Sequence, residues 1–498
     1  MNVNPITRLD YPDLDVIRVE DTYYMVSTTM HFMPGCEILQ SFDLVHWEHV
    51  TYVYETLDHT DAQQLKSGQN IYGQGMWAAS LRYHEGRFYI CFVANDTRKT
   101  YLYTSEKIDG PWKKQLIEGF YHDGSLLFDE DGRNYIVYGN DEIWITELNE
   151  DLTAPKKDGL HRLLVSDHKN PELGYEGSHI QKINGYYYIF LIHSLRDRWM
   201  RTEACFYSDS LEGEFTGGDV LCDDRGYCGQ GVAQGGIVDT PDGKWYAMLF
   251  QDSGAVGRLP ILLPVTWKDH FPVFGQNGHV PEEIEVHSTR PGYIYQPLVG
   301  SDDFCNGLLP RWQFNHDPDP RYYHLDALQG TYTITTREVC TELTQAVNTL
   351  TQRMSYPSCA AEVTVDASAL KEGDVAGLCA LQGCYAAVGI TKHHGKYEVL
   401  MLDKKEDGIL DMTEGTVVES HQMDFRLEAD FCNMKDEARC YYRVNKGDWL
   451  PIGTVHKLYF KLDHFTGCRF GLFCYAAEET GGSACFRDFK YYDVDEIS

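Results

Sequence analysis

Short runs of apolar and aromatic residues, broken by glycine-centred turns, recur along the first half of the chain, and the 3.6-residue period of an amphipathic helix is almost absent. The clearest copy is Gly174-Tyr175-Glu176-Gly177-Ser178-His179-Ile180, then Asn184-Gly185, then Tyr186-Tyr187-Tyr188-Ile189-Phe190-Leu191. It predicts a strand entered from an acidic, glycine-flanked position and a hairpin closed by a two-residue turn. The same layout starts at Asp13, Ala78, Asp123 and Gln234, with Glu85-Gly86, Asp131-Gly132 and Asp242-Gly243 at later turns. The five starts are 65, 45, 53 and 58 residues apart. Repeats of roughly 40 to 60 residues built from short strands predict propeller blades of four antiparallel strands. In such a ring the innermost strands face one axis, so residues far apart in sequence, Asp13, Asp123 and Glu176, converge.

The pattern changes between Gly292-Tyr293-Ile294-Tyr295-Gln296-Pro297-Leu298 and Gly300-Ser301-Asp302-Asp303. Beyond it, Ala361–Asp366, Tyr385–Ile390, Cys440–Val444 and Cys485–Tyr491 read as short strands of a two-sheet sandwich. The expected architecture is therefore all-β: a five-bladed propeller over 1–298, a linker over 299–304 and a β-sandwich over 305–498.

Composition narrows the partners. The net charge of −32 and the lack of a basic stripe argue against a nucleic-acid partner, whose binding draws on clustered Lys and Arg, and a neutral sugar is compatible with it. Thirty-four tyrosines favour strands and amphipathic contact surfaces. No secretory leader is read at Met1–Arg8 and no membrane span anywhere, and the 15 cysteines, odd in number and without CxxC pairs, read as free thiols. These observations give the expectation of a cytoplasmic protein.

Two acidic groups in one funnel suit glycoside hydrolysis, which needs an acid to protonate the leaving oxygen and a carboxylate to activate water or to attack. Glu176, beside Gly177 and Tyr175, is the candidate acid, its proton held by repulsion from Asp123; Asp13 is the candidate base. A carboxylate at a strand entry more often caps backbone amides, so the pattern alone leaves a sugar-binding propeller without turnover as a rival. Gly73-Gln74-Gly75 and Gly229-Gln230-Gly231 lack the strand-to-helix context of a dinucleotide site, and no P-loop or HExxH motif is present.

Tyr11-Pro12-Asp13, Met33-Pro34-Gly35-Cys36-Glu37-Ile38, Trp77-Ala78-Ala79-Ser80-Leu81-Arg82-Tyr83-His84 and Glu176-Gly177-Ser178-His179 resemble glycoside hydrolase family 43. The likeness is to its β-xylosidases and α-L-arabinofuranosidases with a C-terminal concanavalin A-like domain. Trp312–His316, Asn348–Arg353 and Gly373–Leu378 extend it over nearly the whole chain. The resemblance implies an inverting enzyme acting on chain ends. Asp13 would be the general base, Glu176 the general acid and Asp123 the aspartate that tunes the acid; Arg258 would contact sugar hydroxyls, and Phe32 and Trp77 would line the terminal pocket. No cofactor is required and no metal ligands are assigned. A structural calcium on the axis is the one metal the resemblance raises, and Gln234, where many members have a histidine, weakens that expectation. Asp15 stands where a serine is common, and Leu259-Pro260 follows Arg258, which leaves the pentose open. Phe465-Thr466-Gly467-Cys468 is the candidate loop by which the sandwich closes the pocket. The expected partner is a small oligosaccharide, with no nucleic acid or membrane; association of copies is left open.

Overall fold

The computed structural model describes residues 3–493. Five four-stranded antiparallel units form the first domain. Blade I comprises Asp15–Val19, Thr22–Val26, Gly35–Ser41 and Glu48–Tyr54; blade II comprises Met76–His84, Arg87–Ala94, Lys99–Ser105 and Lys113–Ile117. Blade III comprises Ser125–Phe128, Asn134–Asn140, Glu142–Leu148 and His161–Ser166; blade IV comprises Glu176–Ile183, Tyr186–Ser194, Arg201–Ser208 and Thr216–Leu221. In blade V the inner strand is interrupted: Val232–Ala233 and Ile237–Asp239 both pair with Trp245–Asp252, which continues to Arg258–Lys268 and Phe271–Phe274. Among the described residues no helix is long and apolar enough to cross a membrane.

The two-residue turns are real where both residues take positive φ: Glu85-Gly86 joins His84 to Arg87, and Asn184-Gly185 joins Ile183 to Tyr186. At Asp131-Gly132 and Asp242-Gly243 only the glycine has positive φ, and each lies in a five-residue loop, 129–133 or 240–244. An Asp-Gly pair signals a turn in both cases; loop length is set by where the flanking strands stop pairing.

The ring closes between blades I and V. The Asn4 side chain copies a strand pair, donating to Leu262 O at 2.7 Å and accepting from Leu262 N at 2.8 Å, and Ile6 N donates to Pro260 O. Ile6, Leu9, Tyr11, Val16 and Met25 pack there against Val238, Met248 and Leu262. Burying this apolar seam, at about 25 cal/mol per Å², is the main force holding the last blade to the first.

The second domain stacks a seven-stranded sheet on a nine-stranded one around a core that includes Trp312, Phe425, Leu427, Phe470 and Phe486. It begins inside the stretch expected as a linker: Asp302 pairs with Phe489, and Phe304 is fully buried in the sandwich core. The two domains also share a sheet. Phe32–Met33, in a loop of blade I, pairs with Gln313–Asn315 and forms the edge of the nine-stranded sheet. Arg353 of the sandwich adds a buried ion pair with Glu37 at 2.8 Å.

Candidate active site

The residues that start the inner strands share one backbone signature. Asp13, Ala78, Asp123, Gly177 and Gln234 all take left-handed φ, at 51°, 34°, 47°, 64° and 62°. A non-glycine residue in that region is uncommon and is held by its surroundings. The common bend turns each chain from the mouth of the funnel down its wall. It also corrects the alignment of the repeats: the counterpart of Asp13 and Asp123 in blade IV is Gly177, and Glu176 lies one residue earlier, at the position of Trp77 in blade II. The strand registers agree, with a bulge after Trp77 and after Glu176. Glycine is required at 177, because a Cβ there would come within 2.7 Å of the Gln234 side chain.

Two residues further down each strand, a second layer locks blade to blade. Asp15 accepts from Leu81 N at 2.8 Å, Ser80 from Leu126 N at 3.1 Å and Ser125 from Ile180 N at 3.0 Å. Each bond fixes the angle between neighbouring blades and so the positions of the carboxylates above.

Those carboxylates open into one cavity of about 230 Å³. Asp13, Asp123, Glu176, Trp77 and Arg258 line it together with His122, Asn140, Leu173, Trp199, Arg201 and Gln234, and Leu462 and Phe465 of the sandwich close it. Phe32 does not belong to it. Its strand pairs with the sandwich, its ring is buried, and the Arg469 guanidinium lies 3.4 Å above the ring, so Phe32 serves the domain junction.

Asp13 is fixed at both oxygens, by Arg258 Nη1 at 2.6 Å and by Thr28 Oγ1 at 2.6 Å. Arg258 is oriented in turn by Asp252 at 3.1 Å. Asp123 accepts from Gly177 N at 2.9 Å, and Glu176 accepts from Asn140 Nδ2 at 2.7 Å. His122 Nε2 lies 3.5 Å from both Asp123 and Glu176. The Asp123 carboxylate pushes the His122 imidazole up to about 9 against the cost of burial. Burial, with the charges of Glu176 and Asp13, lifts Asp123 to about 6 despite His122. Burial acts the same way on Glu176, but His122, Arg201 and Arg258 outweigh it and hold that carboxyl below its ordinary value. The expected direction is thus reversed: of the two interacting carboxyls, Asp123 is raised and Glu176 lowered. The two part because burial and the neighbouring carboxylates outweigh His122 at Asp123, whereas His122 together with Arg201 and Arg258 outweighs burial at Glu176.

The ligating atoms of His122, Asp123 and Glu176 lie within 4.8 Å of one another. His122 Nε2 faces both carboxylates at 3.5 Å, so the trio reads as a proton-sharing cluster. Beneath it the axis holds a void of about 10 Å³, bordered by Asp15, Ser80, His179 and Gln234. Asp15 there is engaged by Leu81 N and Arg82 on one oxygen and by His179, 3.1 Å away, on the other. Calcium takes six to eight oxygen ligands, and a guanidinium already sits against the carboxylate that would anchor it. This set does not fit the ion.

His122, Asn140, Trp199 and Arg201 are functional candidates that the sequence pattern did not single out. His122 adjoins Asp123 in the chain and was open to inspection. Asn140 and Arg201 lie at the end of one strand and the start of another, where only the blade geometry reveals that they face the funnel. Arg201 and Trp77 line the cavity, while Arg201 Nη1 and Trp77 Nε1 are themselves buried with no hydrogen-bond partner.

The sequence matches the model of Glycosyl hydrolases family 43 over residues 3–272 and that of the Beta xylosidase C-terminal Concanavalin A-like domain over 301–492. It is 27% identical over 555 residues to a beta-xylosidase of Formosa agariphila, covering 99% of this chain and 89% of that protein. It is 25% identical over 352 residues to a non-reducing end alpha-L-arabinofuranosidase of Bacteroides ovatus, covering 66% and 63%. Among solved structures, a bifunctional GH43-CE protein of Bacteroides eggerthii is 42% identical with a TM-score of 0.92; all of this chain is covered, and it spans 64% of that longer one.

Proposed function

The chain belongs to glycosyl hydrolase family 43 and is a glycoside hydrolase, and from that premise we propose that it releases terminal D-xylose from β-xylosides and short xylo-oligosaccharides by single displacement with inversion. The observation that carries this reading is the small size of the cavity. Three carboxylates face about 230 Å³, below the roughly 300–1,000 Å³ of drug-sized ligand pockets, which suits one sugar ring rather than a chain lying across the site.

In this reading Asp13, clamped by Arg258 and Thr28, takes a proton from the attacking water. Glu176 gives its proton to the leaving oxygen, positioned by Asn140. Asp123 and His122 hold the proton beside Glu176 between turnovers. A sugar ring that displaces water from Glu176 disfavours its charged form and moves the shared proton onto it. Arg201 and Trp77 line the space the ring fills. Phe465 and Leu462 end the pocket, so the enzyme acts from chain ends. A second reading, release of L-arabinofuranose, is favoured by the likeness to the arabinofuranosidase, and one pocket serves both if the hydroxyl geometry is shared. All fifteen cysteines are free thiols, nine of them buried, which supports a reducing, cytoplasmic setting.

The test is hydrolysis of nitrophenyl β-xyloside, nitrophenyl α-L-arabinofuranoside, xylobiose and xylotriose, with the first-formed anomer followed by NMR. Release of xylose as the α-anomer is expected; release of β-xylose from the xylosides rejects inversion, and no turnover on any substrate favours the binding propeller.

A further inference from the structure

Arg82, on the inner strand of blade II, has no part in the chemistry above, yet its side chain reaches across the axial channel to touch four blades. Nη1 donates to Asp15 Oδ2 of blade I at 2.7 Å and to Leu81 O of its own blade at 2.6 Å. Nη2 donates to Ser125 Oγ of blade III at 2.7 Å and to Ile180 O of blade IV at 3.2 Å; Nε donates to Leu126 O at 2.8 Å. Every nitrogen of the fork is used. Ser125 and Asp15 are also the acceptors that lock blade III to blade IV and blade I to blade II, so one cation joins both locks.

We propose that the Arg82 guanidinium is the resident cation of the propeller axis, replacing a bound metal ion there and positioning Asp13 through Asp15, two residues below it. Asp15 is fully buried; burial pushes its carboxyl up, and Arg82, followed by His179, brings it down to about 2. The remaining charged groups around the lower channel are already matched, Arg18 with Asp239 and Lys182 with Asp129 at 2.6 Å. A divalent ion anchored on Asp15 in the small void above would compete with the guanidinium for that carboxylate. Lysine would not substitute, because a point charge on a flexible stem cannot serve a carboxylate, a hydroxyl and two carbonyls in fixed directions. The proposal rests on Asp13 as the base only for its kinetic consequence; the metal independence stands apart from it.

The experiment has two arms. The full-length protein, dialysed against EDTA and checked for metal by mass spectrometry, is expected to keep its Tm and its kcat/KM on nitrophenyl xyloside, and calcium chloride is expected to change neither. A calcium-dependent rise in Tm in that protein overturns the proposal whatever the substrate proves to be. In the second arm Arg82→Met is expected to lower kcat about 10- to 100-fold with little change in KM, as Asp13 shifts by a fraction of an ångström. The acid limb of its kcat/KM profile is expected to rise by about one pH unit as the cation next to Asp15 disappears. Parental kcat and an unmoved acid limb reject the positioning role. Should Arg82→Met fail to fold, Arg82→Lys decides: full parental activity there means charge alone suffices and the four-blade clamp is wrong.

Discussion

Replacing Phe465 by leucine tests whether the sandwich completes the sugar pocket. The ring is buried, the Arg258 guanidinium lies 3.8 Å from its centroid, and Trp77 meets it edge-on at 5.0 Å. The backbone behind it is held from both sides: Gly467 N donates to Asp10 Oδ2 at 2.7 Å, and Asp10 Oδ1 accepts from Arg258 N at 2.8 Å. Gly467 has no room for a side chain, since a Cβ would lie 2.1 Å from Val256 O. The loop therefore stays in place when the ring is removed, and leucine restores most of the apolar volume. What is lost is the face over a desolvated guanidinium, about 2 kcal/mol, and an aromatic pair of about 1 kcal/mol. Together these are about 3 kcal/mol, an upper bound of about 150-fold in kcat/KM if all of it orders Arg258 and Trp77 around the sugar. Because the ring contacts persist through the reaction, the loss is expected mainly in KM. Michaelis kinetics on nitrophenyl xyloside, with Tm measured on the same samples, provide the assay. A kcat/KM within twofold of the parent, alongside a lowered Tm, would refute the closure argument and leave Phe465 as packing alone.

Asp13→Ala is expected to abolish hydrolysis of every substrate, whereas Glu176→Ala should cost about 10²- to 10⁴-fold on xylobiose and far less on nitrophenyl xyloside, whose leaving group needs no proton; equal losses on both would remove Glu176 from the acid role. Deleting 301–498 is expected to give insoluble or inactive protein, because it bares the edge strand Phe32–Met33 and leaves Glu37 buried without Arg353; soluble propeller with unchanged kcat/KM would contradict this. At the same junction burial holds His31 well below its ordinary value, His316 at about 3 and His464 at about 4, with ring centroids 4.8 and 5.3 Å from His31. These are depressed folded-state values, so their stabilisation is present above the unfolded value of about 6.5 and is lost as pH falls below it toward 4 and 3. The midpoint of thermal unfolding should therefore drop as pH falls from about 6.5, and His464→Gln should weaken that dependence; the same slope in the variant would show that other groups carry it.

How much was legible in the chain differs from element to element. The period of 45 to 65 residues, the Asn184-Gly185 and Glu85-Gly86 turns and the alternation beyond residue 300 are local properties, and they were enough for five blades followed by a sandwich. Asp13, Asp123 and Glu176 could be picked out because strand entry and ring closure make convergence a geometric necessity. Phe32 was misplaced because its neighbours in sequence belong to blade I, while its pairing partner, Gln313–Asn315, lies in the other domain. His122 was passed over although it adjoins Asp123, and with it the direction in which the acid pair shares its proton, since that balance depends on distances of 3.5 Å to two carboxylates from different blades.

By itself the sequence determined the strand periodicity, the turn chemistry and the three acidic side chains that ring closure must bring together, since these depend only on neighbours a few residues away and on the repeat. The tertiary structure alone decided which surface of the sandwich borders the cavity, which cation joins four blades at the axis and which carboxyl of the pair is raised. Each of those rests on contacts between segments tens to hundreds of residues apart, where a charge or a ring acquires its energy from what burial removes and what a distant partner restores.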